Sequence, residues 1–198
     1  MTGRERVLNT LAFRGSDRIP LDIWVLPAAR LAHGQAFEEL QARYADRLDI
    51  TSFVGPFDHG FTPEYYQVGT YTDPWGSRWT NIQAGVVGEV KHPVFADYEA
   101  MKGYTPPTEQ FLREWERNKP ALTGQIAAAR KTGKFLIGGW VSVFERFQFL
   151  RGTENLYCDI ALEEPEMFAM MDMVMEFLRV YVDAWLAMDV DAVPFGDD

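Results

Sequence analysis

The chain has 198 residues, of which 47% are hydrophobic and 14% aromatic, so it can bury a sizeable core and is not disordered. Its formal net charge is −10 and its basic residues do not cluster, which argues against nucleic acid or anionic membranes as partners. Cys158 is its only cysteine, the N-terminus is too charged for a secretory signal, and no apolar run approaches the roughly 20 residues of a membrane-spanning helix, so we expect a cytoplasmic protein.

The first fifty residues predict two helices and two strands in alternation. An amphipathic helix is expected over about residues 3–13, followed by a mostly apolar strand over 18–25. Apolar residues at helical spacing predict a second helix over 36–46. A second strand follows over 49–54 and is closed by Gly-Pro.

Residues 57–93 interrupt this alternation. Two aromatic-rich, alternating segments flank a Pro/Gly turn at 73–76, and a third such piece follows over 84–90. This pattern predicts a β-hairpin or small meander. An insertion of this length is more typical of a functional element or a lid than of a plain connection.

The next part of the chain returns to long helices and apolar strands. A helix is expected over about 109–131, capped by Thr108 and kinked or split at Pro120. A third strand is predicted over 134–140, a helix over 143–150, and another helix from near Glu154.

A last helix and strand complete the pattern. From Pro165 to about Met188, methionine and aromatic side chains recur at helical spacing, which indicates core packing. A fourth strand is predicted over 190–196, directly before Asp197 and Asp198. Since a parallel strand needs helices on both faces, we expect a chain that stops there to be cut.

Four apolar strands alternating with helices predict an α/β fold built from parallel βα units, either a small doubly wound domain or part of a barrel. Four local signatures favour the barrel. They are residues 4–20 (RERVLNTL leading to DRIP), 71–76 (YTDPWG), 138–152 (GGW, then FE and LRG) and 189–198 (DVDA leading to FGDD). In this order they resemble the uroporphyrinogen decarboxylase superfamily, and its methyltransferase-like branch in particular.

The resemblance implies a (β/α)8 TIM-type barrel, of which residues 1–198 would be the N-terminal half with about four βα units and the 57–93 insertion. It also implies chemistry at the carboxyl ends of the strands. The superfamily contains uroporphyrinogen decarboxylase, which needs no cofactor, and zinc-dependent methyltransferases that act on corrinoid proteins, small thiols and methylated substrates.

The sequence departs from the decarboxylase pattern in two places. The decarboxylase has an arginine-rich RQAGRY segment after its first strand, whereas residues 25–31 here contain only Arg30. Asp58 lies near the place of the catalytic aspartate but not in register. Because a substrate with eight carboxylates would need more cations, we favour the methyltransferase-like branch.

The sequence also lacks the zinc motif of that branch in these residues. His33, His59 and His92 form no His-x-Cys pair with Cys158, so a four-ligand zinc site is not predicted here. We therefore expect no cofactor bound by this segment alone, with zinc ligands either in the second half of the barrel or absent. A corrinoid is a possible substrate rather than a resident cofactor.

Four carboxylates are the candidate catalytic residues: Asp197, Asp198, Glu145 and Asp22. Asp197 and Asp198 follow the fourth predicted strand, and Glu145 follows the third, where a barrel presents its chemistry. Asp22 is the one charge in an otherwise apolar predicted strand. The structural alternatives are a turn or helix cap for the aspartates and a salt bridge to Arg146 or Arg151 for Glu145.

Five residues are candidates for binding substrate: His59, Arg151, Trp24, Trp75 and Trp140. His59 lies in the loop after the second predicted strand, at the active end of a barrel. Arg151 either contacts substrate or ties down its loop. Trp75, with Trp79, forms either an apolar wall over a flat ligand or the core of the hairpin.

The leading functional hypothesis is a methyltransferase that acts on a corrinoid-linked or small methylated substrate once the barrel is complete. Decarboxylation of a tetrapyrrole or another carboxylate is the alternative enzyme. The non-enzyme alternative is a half-barrel interaction module, which would pair its open edge with a second half-barrel or another copy of the chain.

Overall fold

The computed structural model describes residues 1–57 and 63–197 and has an α/β fold with two separate sheets. Its helices are α1 (Gly3–Leu11), α2 (Pro27–Tyr44), α3 (Thr108–Arg130), α4 (Phe144–Arg151), α5 (Thr153–Leu162) and α6 (Pro165–Leu186). Its strands are β1 (Ile50–Phe53), β2 (Gly69–Thr72), β3 (Arg78–Asn81), β4 (Glu89–His92) and β5 (Phe135–Gly138). Within the described ranges, no helix combines the length and apolar character that a bilayer-spanning segment requires.

The parallel sheet contains β1 and β5, with Ile50 opposite Phe135 and Phe53 opposite Gly138. These strands confirm the second and third predicted strands. The fourth predicted strand, 190–196, contributes two parallel bridges instead of a continuous strand, through Ala192 to Ile137 and Phe195 to Val141. β1, β5 and the segment around Ala192 therefore lie side by side in the same order as in the sequence.

The first predicted strand, 18–25, is wrong as a strand, because the segment belongs to neither sheet. The backbone N–H of Asp49 donates to the carbonyl of Leu21, and the Asp49 carboxylate accepts from the N–H of Leu21 and from Arg18. The Leu21 N–H is thus bonded to the Asp49 side chain instead of to the backbone of a neighbouring strand. Ile19 and Trp24 remain 80% and 77% exposed.

The helices agree with the sequence patterns except at some ends. α2 begins at Pro27, earlier than predicted, and contains a non-helical residue at Gly34, whose φ of 46° suits glycine. The N-cap position of α3 is Pro107, so Thr108 is the first helical residue and does not cap it. α3 continues through Pro120 without splitting.

The predicted meander within residues 57–93 is confirmed as the antiparallel sheet β2–β3–β4. It packs firmly on the rest of the fold. The Ser77 hydroxyl donates to the carbonyl of Phe149 at 2.7 Å, and the Tyr104 hydroxyl donates to the carbonyl of Trp75 at 2.8 Å. Trp79 packs edge-on against Phe149, so the meander is held against α4.

The core lies between α3, α4, α6 and β5. The methionine and aromatic stripe of α6 faces it, as predicted: Met170, Val174 and Trp185 are each 0% exposed. Leu136 of β5 is also 0% exposed and belongs to the same apolar cluster. Burial of these side chains is the main favourable contribution to folding.

Ion pairs hold the amino-end side of the parallel strands. The Asp49 carboxylate, just before β1, accepts from Arg6 and Arg18, and Arg6 also pairs with Asp17 at 2.6 Å. Although burial acts to raise the pKa of Asp49, these arginines and the Leu21 N–H hold it below its usual range. These ion pairs fasten α1 and the segment before β1 to the amino end of the parallel strands.

Candidate functional site

A small cavity lies beyond the carboxyl end of β5. Its volume is about 20 Å³, which is room for about one water molecule. Its walls come from the meander turn, from the segment after β5, and from α4 and α6: Phe57, Trp75, Trp140, Ser142, Arg146, Phe177, Leu178 and Tyr181. In open α/β sheets and barrels alike, ligands bind at this end of the strands.

Aromatic rings form most of the wall. Trp75 reaches in from the turn between β2 and β3 and packs edge-on against Phe177, with ring centroids 4.7 Å apart. Tyr181, one turn further along α6, accepts a hydrogen bond from the backbone N–H of Trp140 at 3.1 Å. Trp140 is 44% exposed while Trp75 is 3% exposed, so Trp140 lies at the mouth and Trp75 inside.

Two glycines after the apolar run of β5 let α6 approach. A Cβ on Gly138 would lie 2.3 Å from the Trp185 ring. Gly139 has a φ of 69°, and a Cβ there would lie 2.4 Å from both the Trp185 indole nitrogen and the Tyr181 hydroxyl. The GGW segment is therefore required by close packing and by backbone conformation, and it places Trp140 at the mouth.

Arg146, on the first turn of α4, is the cation of the cavity. It is only 7% exposed, and its guanidinium lies over the rings of Trp75 and Phe149 at 5.2 and 5.5 Å. Its Nη1 is 3.6 Å from Oδ2 of Asp73, close enough for an ion pair but too long for a hydrogen bond. Within the described part of the chain, Nη1 is buried without a hydrogen-bond partner.

Asp73 begins the meander turn and is buried beneath the site. Its Oδ1 accepts from the Ser77 backbone N–H at 2.9 Å, and its Oδ2 accepts from the Trp79 indole at 3.1 Å. Burial raises the pKa of Asp73, and the charge of Arg146 together with these hydrogen bonds opposes that rise. The turn thus places one buried carboxylate beside one buried guanidinium.

Asp197 lies across the N-terminus of α4. Its carboxylate accepts from the Ser142 hydroxyl at 2.5 Å and from the backbone N–H groups of Val143, Phe144 and Glu145 at 2.7–3.0 Å. Burial acts to raise its pKa, but these donors lower the pKa below its usual range. An ionised carboxylate at a helix N-terminus also suits the helix dipole. Asp197 thus caps α4 and also positions Ser142, which lines the cavity.

The other predicted catalytic carboxylates are not gathered at this point. The Glu145 side chain is half-buried and only its backbone N–H contacts Asp197. Asp22 is exposed, and its carboxylate accepts from the adjacent Ile23 N–H at 2.9 Å. Asp198 lies outside the described residues. Catalysis by any of the four remains a prediction.

Two of the five predicted substrate-binding residues, Trp75 and Trp140, line the cavity. Arg151 instead pairs with Asp159, donates to two backbone carbonyls, and lies over the Tyr98 ring at 4.1 Å. These contacts match the reading in which Arg151 ties down its loop. Trp24 is exposed and does not line the cavity, and His59 lies outside the described residues.

The sequence reasoning did not identify Arg146, Asp73 or Tyr181 as site residues. Arg146 was considered as a salt-bridge partner of Glu145, but adjacent helical residues do not face each other. Its observed partner, Asp73, lies in the turn between β2 and β3, far from α4 in the sequence. The available signal was the DPWG turn itself, in which a charge stands beside an aromatic ring in an otherwise uncharged segment.

The geometry supports binding more directly than it supports a particular reaction. Among the described residues, no group of three or more His, Cys, Asp or Glu side chains is arranged to hold a metal ion. The cavity offers a guanidinium, aromatic faces and a capped helix N-terminus. Comparison with family models, curated proteins and solved structures identifies no significant match to this chain.

Proposed function

We propose that this chain belongs to a (β/α)8-barrel enzyme of the uroporphyrinogen decarboxylase superfamily, and that the enzyme transfers a methyl group from or to a corrinoid-linked or small methylated substrate. The observation that carries the proposal is the position of the aromatic cavity, at the carboxyl ends of parallel segments that neighbour one another in chain order.

The order of these segments favours a barrel over a doubly wound domain. The backbone at Leu21 bonds next to β1, β1 pairs with β5, and β5 bridges to Ala192. A doubly wound sheet reverses its strand order at a switch point, whereas the strands of a barrel follow one another. Four segments in unbroken order fit the barrel.

In this proposal the residues around the cavity bind and orient substrate. Trp75 and Trp140 supply apolar faces, and Asp197 positions Ser142 and the first turn of α4. The described residues do not fit a zinc site, so the zinc of the methyltransferase-like branch would need ligands from outside them.

Methyl transfer from methylcobalamin to a small thiol tests the proposal. The methyl group leaves cobalt for sulfur, the thiol proton goes to solvent, and cobalt keeps the electron pair as cob(I)alamin, which is followed by its absorbance. We expect turnover by the complete barrel that contains these residues, and a loss of about tenfold or more in its Trp140→Leu variant. Phe13→Leu, at a residue 97% exposed, is the matched control.

Absence of cob(I)alamin and of methylated thiol, with either zinc added or chelator added, would refute methyl transfer to thiols. Equal rates in Trp140→Leu and Phe13→Leu would refute the assignment of this cavity as the substrate site. The two outcomes are distinguishable because the first tests the reaction and the second tests whether the cavity is the substrate site.

Decarboxylation is the second candidate, and the buried guanidinium of Arg146 is the observation that favours it. Arginine matches a substrate carboxylate through two parallel hydrogen bonds. Release of carbon dioxide from uroporphyrinogen tests this activity. A chain that leaves uroporphyrinogen intact is not this decarboxylase.

We also propose a second copy of the chain as a partner. Several large apolar side chains next to the parallel segments are exposed: Ile19, Trp24, Val54 and Phe195, at 66–80%. Apolar exposure along a sheet edge is typical of a surface that another chain covers. Sedimentation analysis tests this, and a monomer at all concentrations would contradict it.

A further inference from the structure

The buried guanidinium of Arg146 has more donors than the described residues use. Arginine carries five N–H donors and remains protonated in proteins. Nη1 has no hydrogen-bond partner among the described residues, and its nearest carboxylate oxygen, Oδ2 of Asp73, is 3.6 Å away. A buried donor without an acceptor costs about 1–3 kcal/mol of folding free energy, and Nη1 of Arg146 is such a donor.

Asp73 balances the charge of Arg146 without satisfying its hydrogen bonds. Each carboxylate oxygen of Asp73 already accepts a hydrogen bond, from the Ser77 N–H and from the Trp79 indole. Those two donors hold the carboxylate in the turn. The Arg146 guanidinium keeps donors that none of the described hydrogen bonds uses, and Arg146 lines the cavity, where a ligand could accept from them.

The cavity has the right place and shape for the end of a small ligand. Arg146 and Ser142 form its polar lining, and Trp75 and Tyr181 form its apolar walls. Its volume of about 20 Å³ admits a single small polar group and not a whole substrate. The body of such a ligand must lie outside, against the 44% exposed ring of Trp140.

We propose that Arg146 binds the carboxylate of a small organic acid whose flat apolar part packs against Trp140. Contacts with the rings of Trp75 and Phe149 restrict the guanidinium, so its fork loses less freedom when it binds a carboxylate. This binding goes beyond the proposed methyl transfer and does not depend on it, because it is measured without any reaction.

NMR titration of the full chain with acetate, benzoate and benzamide tests this inference. We expect saturable shifts of the Trp140 indole N–H and the Arg146 Nε–H with acetate and benzoate, with dissociation constants on the order of millimolar because the ligands are small. Benzamide has the shape of benzoate without its charge. It is expected to bind at least about tenfold more weakly.

Two variants complete the test. Arg146→Lys keeps the charge but loses the fork, and is expected to weaken benzoate binding about tenfold or more. Arg117→Lys, at an exposed position of α3, is the matched control and is expected to bind as the parent does. If Arg146→Lys fails to fold, the comparison of benzoate with benzamide in the parent chain still decides.

The inference is overturned by any of three results: no saturable shift with acetate or benzoate, equal affinity for benzoate and benzamide, or unchanged benzoate affinity in folded Arg146→Lys. Carboxylate binding without methyl transfer would instead leave this inference standing and refute the proposed reaction. Methyl transfer without carboxylate binding would do the reverse.

Discussion

Replacing Arg146 with methionine removes the cation that faces buried Asp73. The two groups are 3.6 Å apart, which at an effective dielectric constant of about 20 corresponds to an attraction of about 4–5 kcal/mol. Methionine keeps an unbranched apolar stem over Trp75 and Phe149, so little packing is lost. Because Asp73 can take up a proton when its partner is gone, we expect a loss of about 3 kcal/mol in the free energy of unfolding at pH 7.

The loss depends on pH with a definite sign. Burial already raises the pKa of Asp73, and removing the charge of Arg146 raises it further. A carboxyl group whose pKa is higher in the folded state keeps its proton there while the unfolded chain releases it above about pH 4. The folded Arg146→Met variant is therefore penalised as pH rises, and it recovers stability between pH 7 and pH 5.

Urea denaturation at pH 7 and pH 5 measures both effects. The parent, Arg146→Met, Asp73→Asn and the double variant form a cycle. The double variant should be more stable than the sum of the two single losses, since no buried charge is left unpaired. An Arg146→Met loss that is equal at both pH values, or additive losses in the double variant, would refute the reasoning.

Four further predictions concern substitutions at Asp49, Met170, Gly139 (with Gly124 as its control) and Asp197. Asp49→Asn should lower the free energy of unfolding by about 3 kcal/mol at pH 7 in urea, because it breaks a buried ion-pair network. Since the pKa of Asp49 is held low, the parent keeps this contribution above about pH 4 and loses it as pH falls further, whereas the variant shows a flatter acid limb. Met170→Ala, at a 0% exposed core position, should cost about 2–5 kcal/mol. Gly139→Ala should cost more than about 2 kcal/mol because of its φ of 69° and its close neighbours, whereas Gly124→Ala, in open space on α3, should be neutral or stabilising by up to about 1 kcal/mol. Asp197→Ala should cost about 1–2 kcal/mol through loss of the α4 cap.

Three of these predictions have a specific result that would contradict them. An acid limb unchanged in Asp49→Asn would mean that this carboxylate does not govern acid unfolding. Equal stability of Gly139→Ala and Gly124→Ala would contradict the close packing of Gly139 on α6. A stable Asp197→Ala variant that has lost methyl transfer would shift the role of Asp197 from cap to chemistry.

The sequence alone determined the elements whose patterns are local. The 3.6-residue period of α6 is written in its own side chains, and burial of Met170 and Val174 follows from it. β5 is a short apolar run, β1 has apolar residues at both ends, and the meander alternates around a Pro/Gly turn. These elements form close to where they were predicted because each carries its own signal, although β4 lies at Glu89–His92, later than the predicted 84–90.

Tertiary contacts decided the rest. Residues 18–25 have the composition of a strand, yet a strand exists only where a neighbour completes its ladder, and here the Asp49 carboxylate takes that place. Residues 190–196 make two bridges and no more.

The residues of the cavity likewise fall into those that the sequence suggested and those that only the tertiary structure revealed. Trp75 and Trp140, two of the predicted substrate-binding residues, both line the cavity, and that they bind substrate stays a prediction. Arg146 and Asp73 are joined only when the meander packs on α4, so no local pattern reveals the pair. Arg146 is the cation of the site because it is buried, since electrostatic interactions are stronger where water is excluded.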